Sequence, residues 1–480
     1  MISRSSRHIL WYMTHTNKKL YMVSLGCDKN LVDSEEMLAI LADHGYIITD
    51  DETEADCAVI NTCCFIEDAK KESIEEILAL ADLKETANLK VLVVTGCMAQ
   101  RYKEEILREI PEVDAIVGTT GKLGIARAVD DALIGKQSML LRDPSDDEYD
   151  TSFISEKHNT EEDQLPERLI STGGHYAYLK IAEGCDKNCT YCIIPKIRGH
   201  YRSFPMEKLV AKARKLASEG VTELILVAQE TTIYGQDLYG KKSLHLLLKE
   251  LCRIEELHWI RVLYAYPEEI YPELIDTFAN ESKICHYLDL PIQHASDPVL
   301  RRMNRRTNEA DLRNLVTKLR EKIPDMFLLT TLISGFPGET EEDHEVLRAF
   351  VEEMQFDRLG VFTYSKEEDT PAARMKQQIP KRVKTKRRNE IMRIQQKISR
   401  ARGKNRIGQT IECVIEGELP EDGIYEARTY GDAPGVDGLV FIPTTYPHMS
   451  GDFVNVRITG ASEYDLTGEE VPEEPYDKES

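Results

Sequence analysis

The sequence predicts an α/β protein in three parts: an N-terminal parallel α/β sheet domain, a partial TIM-like barrel of six βα units, and a small C-terminal antiparallel β-barrel. Three observations predict it. Apolar runs of strand length alternate with helical patterns over residues 19–140, and the same alternation resumes six times over 168–403. Over 404–472 the runs shorten and are separated by Gly, Pro and Asp turns. The chain of 480 residues is also longer than one hydrophobic core serves.

In the first part, KLYMVSLG (19–26) reads as a buried strand, followed by an amphipathic helix from about Asp33 to His44. DCAVINT (56–62), LKVLVVTG (89–96) and VDAIVG (113–118) are further strands. Cys27, Cys63 and Cys97 each come immediately after a strand. In a parallel sheet the ends of same-sense strands share one edge, where ligands gather, so these three thiols converge if they serve a ligand. Read singly, each is a small apolar residue closing a strand. Cys57, Cys64, Cys252, Cys285 and Cys413 read as packing residues.

A polar, acid-rich linker occupies 141–167. The next six strands are HYAYLKIA, TELILVAQ, HWIRVLYAY, HYLDLPIQ, FLLTTLIS and RLGVFTYS, separated by helical stretches such as Met206 to Glu219 and Glu309 to Lys322. In barrels of this type the working residues lie on loops after the strands. The loop after the first strand is EGCDKNCTYC, with cysteines at 185, 189 and 192. Closed zinc and iron-sulfur sites take four ligands, so three crowded thiols point to a metal with one position open. The alternatives are core thiols, or part of a structural zinc site with a distant fourth ligand. Gln229 and Glu230 end the second strand and face the site. In SGFPGET, Gly335 and Gly338 either let backbone approach a cofactor or form a plain tight turn. His294 is given no role. The tail, 473–480, reads as disordered, and residues 1–18 as a disordered extension or an early start.

Eleven cysteines without a secretory leader point to a reducing, cytoplasmic compartment, and no apolar run reaches the ~18 residues of a membrane span. The net charge of −23 argues against a general nucleic-acid binder. Its distribution is uneven. Between Arg374 and Arg406 fourteen Lys and Arg face one acid, whereas from Ile407 onward seventeen acids face three bases. The basic run reads as a solvated helix joining barrel to terminal domain rather than as an RNA contact.

CDKNCTYC matches the CxxxCxxC signature of the radical S-adenosylmethionine enzymes, aromatic residue before the last cysteine included. SLGCDKN, NTCCF and GCMAQRY resemble the three cysteine motifs of the methylthiotransferase family, and the terminal barrel is similar to a TRAM domain. The resemblance implies that Cys185, Cys189 and Cys192 hold three irons of a 4Fe-4S cluster. Its fourth iron would take the amino and carboxylate groups of S-adenosyl-L-methionine. It likewise implies a second 4Fe-4S cluster on Cys27, Cys63 and Cys97.

One branch of that family modifies a tRNA adenosine, the other an aspartate of small-subunit ribosomal protein S twelve. VLYAYPEE (262–269), YLDLPIQHAS (287–296) and GDAPGVDG (431–438) resemble the second branch. The acidic terminal segment agrees, because it repels RNA and attracts a basic protein. An aspartate β-carbon is too weak an acid for a side-chain base, so the implied chemistry is radical C–H cleavage followed by sulfur delivery at the second cluster. An electron donor such as flavodoxin or ferredoxin is implied, and no membrane partner. The rival readings are a tRNA enzyme and a non-catalytic two-cluster electron carrier.

Overall fold

The computed structural model describes residues 18–144, 167–419, 423–443 and 446–471. The N-terminal extension apart from Lys18, most of the linker 141–167 and the tail 473–480 lie outside the described residues. The chain forms two compact units. One joins the residues up to Ser171 with Ala182–Arg202 and Ser365–Ala373; the other takes Thr172–Ile181, Ser203–Tyr364 and the residues from Arg374 on.

The first unit is built on six parallel strands: β1 (Lys19–Ser24), β2 (Ile47–Ile48), β3 (Cys57–Thr62), β4 (Val91–Gly96), β5 (Ala115–Val117) and β6 (Ser138–Leu140). Their order is β2-β1-β3-β4-β5-β6. Only β2 and β6 have no counterpart in the sequence reading; at two and three residues they are too short to show a period. Every residue of β3 and β4 is buried. Alternation sends Ala58 and Ile60 into the core on one face, and Cys57 and Val59 into the core on the other.

Helix α1 (Asp28–Asp43) begins five residues before the predicted start at Asp33. The reason is that it buries polar residues: Lys29, Asn30, Asp33, Ser34, Glu35 and Glu36 are all at most 6% exposed. An apolar stripe cannot mark a first turn that is buried by hydrogen bonding. Three more helices matter for the site: α2 (Glu67–Thr86), α3 (Cys97–Tyr102) and the short α4 (Ile194–Arg198).

In the second unit the six predicted strands form one open parallel sheet, in chain order: β7 (Tyr176–Lys180), β8 (Glu223–Val227), β9 (Trp259–Val262), β10 (Ile284–Asp289), β11 (Phe327–Ser334) and β12 (Arg358–Thr363). The same unit holds the 24-residue helix α5 (Lys381–Lys404) and a closed five-stranded barrel. The barrel strands are β13 (Thr410–Leu419), β14 (Ile424–Thr429), β15 (Val440–Pro443), β16 (Phe453–Ala461) and β17 (Leu466–Glu470). They pair antiparallel as predicted except β15 and β17, which run parallel.

The small barrel is docked on the N-terminal ends of the parallel strands. Glu223, the first residue of β8, accepts from Arg261 Nε and Arg428 Nη2, each at 2.7 Å, and all three side chains are at most 1% exposed. Arg358, which opens β12, donates to Asp432 at 2.6 Å, and Tyr287 donates to Asp437 at 2.9 Å. Thus GDAPGVDG, one of the stretches that carry the family resemblance, is a docking loop. It seats the barrel at the stability end of the sheet and leaves the opposite edge to chemistry.

Candidate functional site

Cys63 and Cys97 come directly after β3 and β4, and Cys27 lies three residues past β1; the three strands are adjacent in the first sheet, so these cysteines share one edge. Two of the three are reached through a glycine in the left-handed region, Gly26 and Gly96, both at φ +92°. The approach is close: a Cβ on Gly26 would sit 3.0 Å from Cys63 Sγ, and one on Gly96 2.2 Å from Asn61 Oδ1. Cys63 is clamped from α2, its amide donating to Ser73 Oγ at 3.1 Å and its carbonyl accepting from that hydroxyl at 2.9 Å. Asn30 ties the strand ends together, donating to Leu25 O at 2.9 Å and Thr62 O at 3.1 Å.

Cys185, Cys189 and Cys192 lie in the same unit, on a loop without regular structure that runs into α4. Gly184 (φ +79°) turns the chain so that Cys185 N donates to Gly199 O at 3.1 Å. Cys192 N donates to Cys189 O at 3.0 Å, and Ile194 N donates to Cys192 Sγ at 3.4 Å. Residues 365–373 strap this loop: Ala372 N donates to Thr190 O at 2.8 Å and Lys196 Nζ to Asp369 O at 2.9 Å. The strap is itself anchored by buried Glu367, paired with Lys70 at 3.1 Å and Arg101 at 3.0 Å.

The residue that sequence reasoning missed is Arg198, the last of α4. Its guanidinium is 3% exposed and lies 3.5 Å from Cys97 Sγ. It donates to Asp33 Oδ2 at 2.7 Å, to Glu183 Oε2 at 3.3 Å and to Asn30 Oδ1. Burial works against its charge, yet Cys97, Glu183 and Asp33 hold its pKa well above the ordinary range. A lone arginine six residues past the last cysteine carries no signal in the sequence. The surplus of polar residues on both faces of α1 was the available hint.

Burial pushes the Cys97 thiol up to about 11, against the pull of Arg198, and raises Cys63 and Cys192 as well. All six cysteines are free thiols. Among the described residues no three His, Cys, Asp or Glu side chains close on a single-ion site. A cluster binds each thiolate on a different iron and so spreads its ligands wider than one ion does. Two sets of three buried or half-buried thiols, one beside a fixed cation, are a donor set that suits such clusters.

In the second unit Glu230 is fully buried and accepts from Thr232 Oγ1 at 2.8 Å, and Gln229 precedes it just past the end of β8. Gly335 and Gly338 have φ of +74° and +78°. A Cβ would meet Lys384 Cγ at 2.3 Å on the first and Arg302 Nη1 at 2.2 Å on the second. The amides of Gly335 and Phe336 donate to Glu339 Oε2 at 2.6 and 3.0 Å, and Gly338 N donates to Gln377 O at 3.0 Å. His294 is a core histidine: its Nδ1 accepts from Ser296 N at 2.9 Å, and burial lowers its pKa to about 3, leaving the ring neutral. Tyr264 (φ +59°) and Gln293 (φ +69°) are strained residues on loops after β9 and β10, where working side chains are expected.

Comparison with known proteins agrees with this layout. Residues 179–351 match the radical SAM superfamily, 407–471 the TRAM domain and 19–118 the uncharacterized protein family UPF0004. A radical S-adenosylmethionine methyltransferase, TsrM, from Kitasatospora setae, solved with cobalamin and a 4Fe-4S cluster bound, superposes with a TM-score of 0.51 at 15% identity. The match covers 74% of this chain and 77% of that one, and shows the shared fold. The matched radical SAM domain, taken with the full-length relatives, defines a radical SAM enzyme of the transferase class, which uses an iron-sulfur cluster and S-adenosylmethionine.

Over most of its length the chain is also similar to proteins named ribosomal protein uS12 methylthiotransferase RimO. It is 58% identical to that of Lachnoclostridium phytofermentans, covering 94% of this chain and 99% of the relative. To that of Acetivibrio thermocellus it is 49% identical over 95% and 99%. The chain belongs to the ribosomal protein uS12 methylthiotransferase family.

Proposed function

We propose that this chain replaces a β-hydrogen of an aspartate in ribosomal protein uS12, the small-subunit protein S twelve, by a methylthio group, using two 4Fe-4S clusters. Cys185, Cys189 and Cys192 hold one cluster, and Cys27, Cys63 and Cys97 the other. The observation that supports this most is the presence of two three-thiol sets in one compact unit, with Arg198 joining the loop of one to a thiol of the other. Bound at the loop triad, a reduced cluster with S-adenosylmethionine supplies the radical that breaks the unreactive C–H bond.

The chain's own residues hold and orient. Arg198 neutralises charge beside Cys97 and fixes α4 against α1, and the 365–373 strap keeps the cysteine loop in shape. Gln229 and Glu230 end a barrel strand where such folds collect ligands, and are the side chains of the second unit assigned to S-adenosylmethionine, with the backbone at Gly335 and Gly338. The functional modules are 19–140, 168–403 and 404–472. The acidic terminal barrel, seventeen acids to three bases from Ile407 on, suits a basic ribosomal protein better than tRNA. A flavodoxin or ferredoxin serves as electron donor, in the cytoplasm; among the described residues no helix is long and apolar enough to cross a membrane.

The test is mass spectrometry of uS12 after anaerobic incubation with reconstituted enzyme, reductant, sulfide and S-adenosylmethionine. The expected result is a gain of about 46 Da on one aspartate, a methylthio group in place of hydrogen. No gain on uS12, together with a gain on tRNA, would overturn the substrate.

A further inference from the structure

Modification of a basic protein leaves a strongly basic helix unused. Helix α5 carries eleven Lys and Arg and a single acid, Glu390. Three of its cations are turned to local work: Arg387 pairs with Glu339 at 2.9 Å, Arg402 with Asp357 at 2.9 Å, and Lys384 donates to Tyr364 O at 2.7 Å. The others are exposed. Arg382, Lys386, Arg393, Lys397, Arg400 and Lys404 recur at steps of three, four or seven residues, so they share one face. At 1.5 Å per residue this line is about 33 Å long. Among the described residues, only Lys386 and Arg400 of the six have an acid within reach, at 3.7 and 3.4 Å.

This arrangement opposes helix stability. Like charges at i,i+4 repel, and the first turn holds Lys381, Arg382 and Lys384 with no acid, against the helix dipole. The helix is held instead by buried Ile391, Gln395 and Ile398 on its other side. A row of unneutralised cations maintained against local preference fits a linear polyanion, because phosphates in series release counterions at each contact.

We propose that the exposed face of α5 docks on the phosphate backbone of ribosomal RNA in the small subunit. The assignment rests on the uS12 reading. An assembled small subunit presents a basic protein to the acidic barrel and RNA phosphates to α5, and so matches both charge extremes of a unit that would be repelled by RNA alone. The face reads backbone, not sequence.

The test compares the reconstituted full-length enzyme with the variant Arg382→Glu/Arg393→Glu/Lys397→Glu, whose sites are exposed and whose folding is checked by thermal midpoint and by 5′-deoxyadenosine formed without substrate. Binding to purified small ribosomal subunits, free uS12, tRNA and flavodoxin is measured from low to moderate salt. The expected result is at least tenfold weaker binding to subunits, with free uS12 unchanged within twofold. The slope of log K against log salt should become shallower by about 2 to 3, each phosphate contributing about 0.7 to 0.9. Less than tenfold loss on subunits overturns the proposal, and so does equal loss on free uS12, tRNA bound as tightly as subunits, or a loss confined to flavodoxin. Failure of the uS12 reading is seen separately, as no mass gain on free or subunit-borne uS12 with the wild-type enzyme.

Discussion

The pentapeptide Gly-Cys-Asp-Lys-Asn occurs twice, at 26–30 and at 184–188, and folds differently each time. Both copies start with a left-handed glycine and supply one thiol. In the first, Asp28 opens α1, and Lys29 and Asn30 are buried. In the second the chain stays irregular, Asp186 and Asn188 are exposed, and Cys189 comes directly after. The downstream residues make the difference. LVDSEEMLAILAD is rich in strong helix formers, whereas CTYCIIP brings aromatic and β-branched residues and Pro195. One copy therefore needs two other strand ends to complete its triad, while the other completes its own within eight residues.

Removing one thiol from each triad should change the chemistry most. Cys189→Ala should abolish 5′-deoxyadenosine formation. Cys63→Ala should keep it and lose only the methylthio product, each variant binding about half the iron. Equal loss of deoxyadenosine in both would break the division of labour between the triads.

Arg198→Met removes the cation shared by Asp33 and Glu183, although Asp33 keeps Lys122 at 2.5 Å, and should lower stability by about 3 kcal/mol in urea unfolding, with partial recovery in Arg198→Lys. A near-neutral result would mean that the two triads are not joined through this side chain. Smaller again, and a direct test of the repeated pentapeptide, is Asn30→Ala against Asn188→Ala. The buried site should cost about 2 to 3 kcal/mol and the exposed one within about 0.5 kcal/mol. The slightest change is local. Chelating the iron should speed amide exchange in 184–193, which has no sheet or helix to hold it, and leave β1, β3 and β4 protected.

Much of the site could be read from the residues. The loop triad was legible as a motif because its three cysteines are local, and its spacing survives without any knowledge of the fold. The strand-end triad was legible only as a conditional: three strands, three cysteines after them, and a sheet order that had to be adjacent. Asn30, Asp33 and Arg198 were not legible, because the bonds that join Asn30 to Thr62 and Arg198 to Asn30 and Asp33 span 32 to 168 residues and polar residues on a helix read as solvent-facing. The docking role of GDAPGVDG was hidden for the same reason, since Arg428 and Asp432 find Glu223 and Arg358 only across the fold.

Period, spacing and composition act over a few residues, and they were enough to encode the three architectures, all six strands of the second sheet, the six thiols and the contrast of a basic helix with an acidic barrel. Folding had to supply the rest: both triads in one compact unit, a buried arginine beside Cys97, and the small barrel capping the N-terminal ends of the strands. Buried charges are stable only where partners from distant segments meet, and that meeting is a property of the folded chain rather than of any stretch within it.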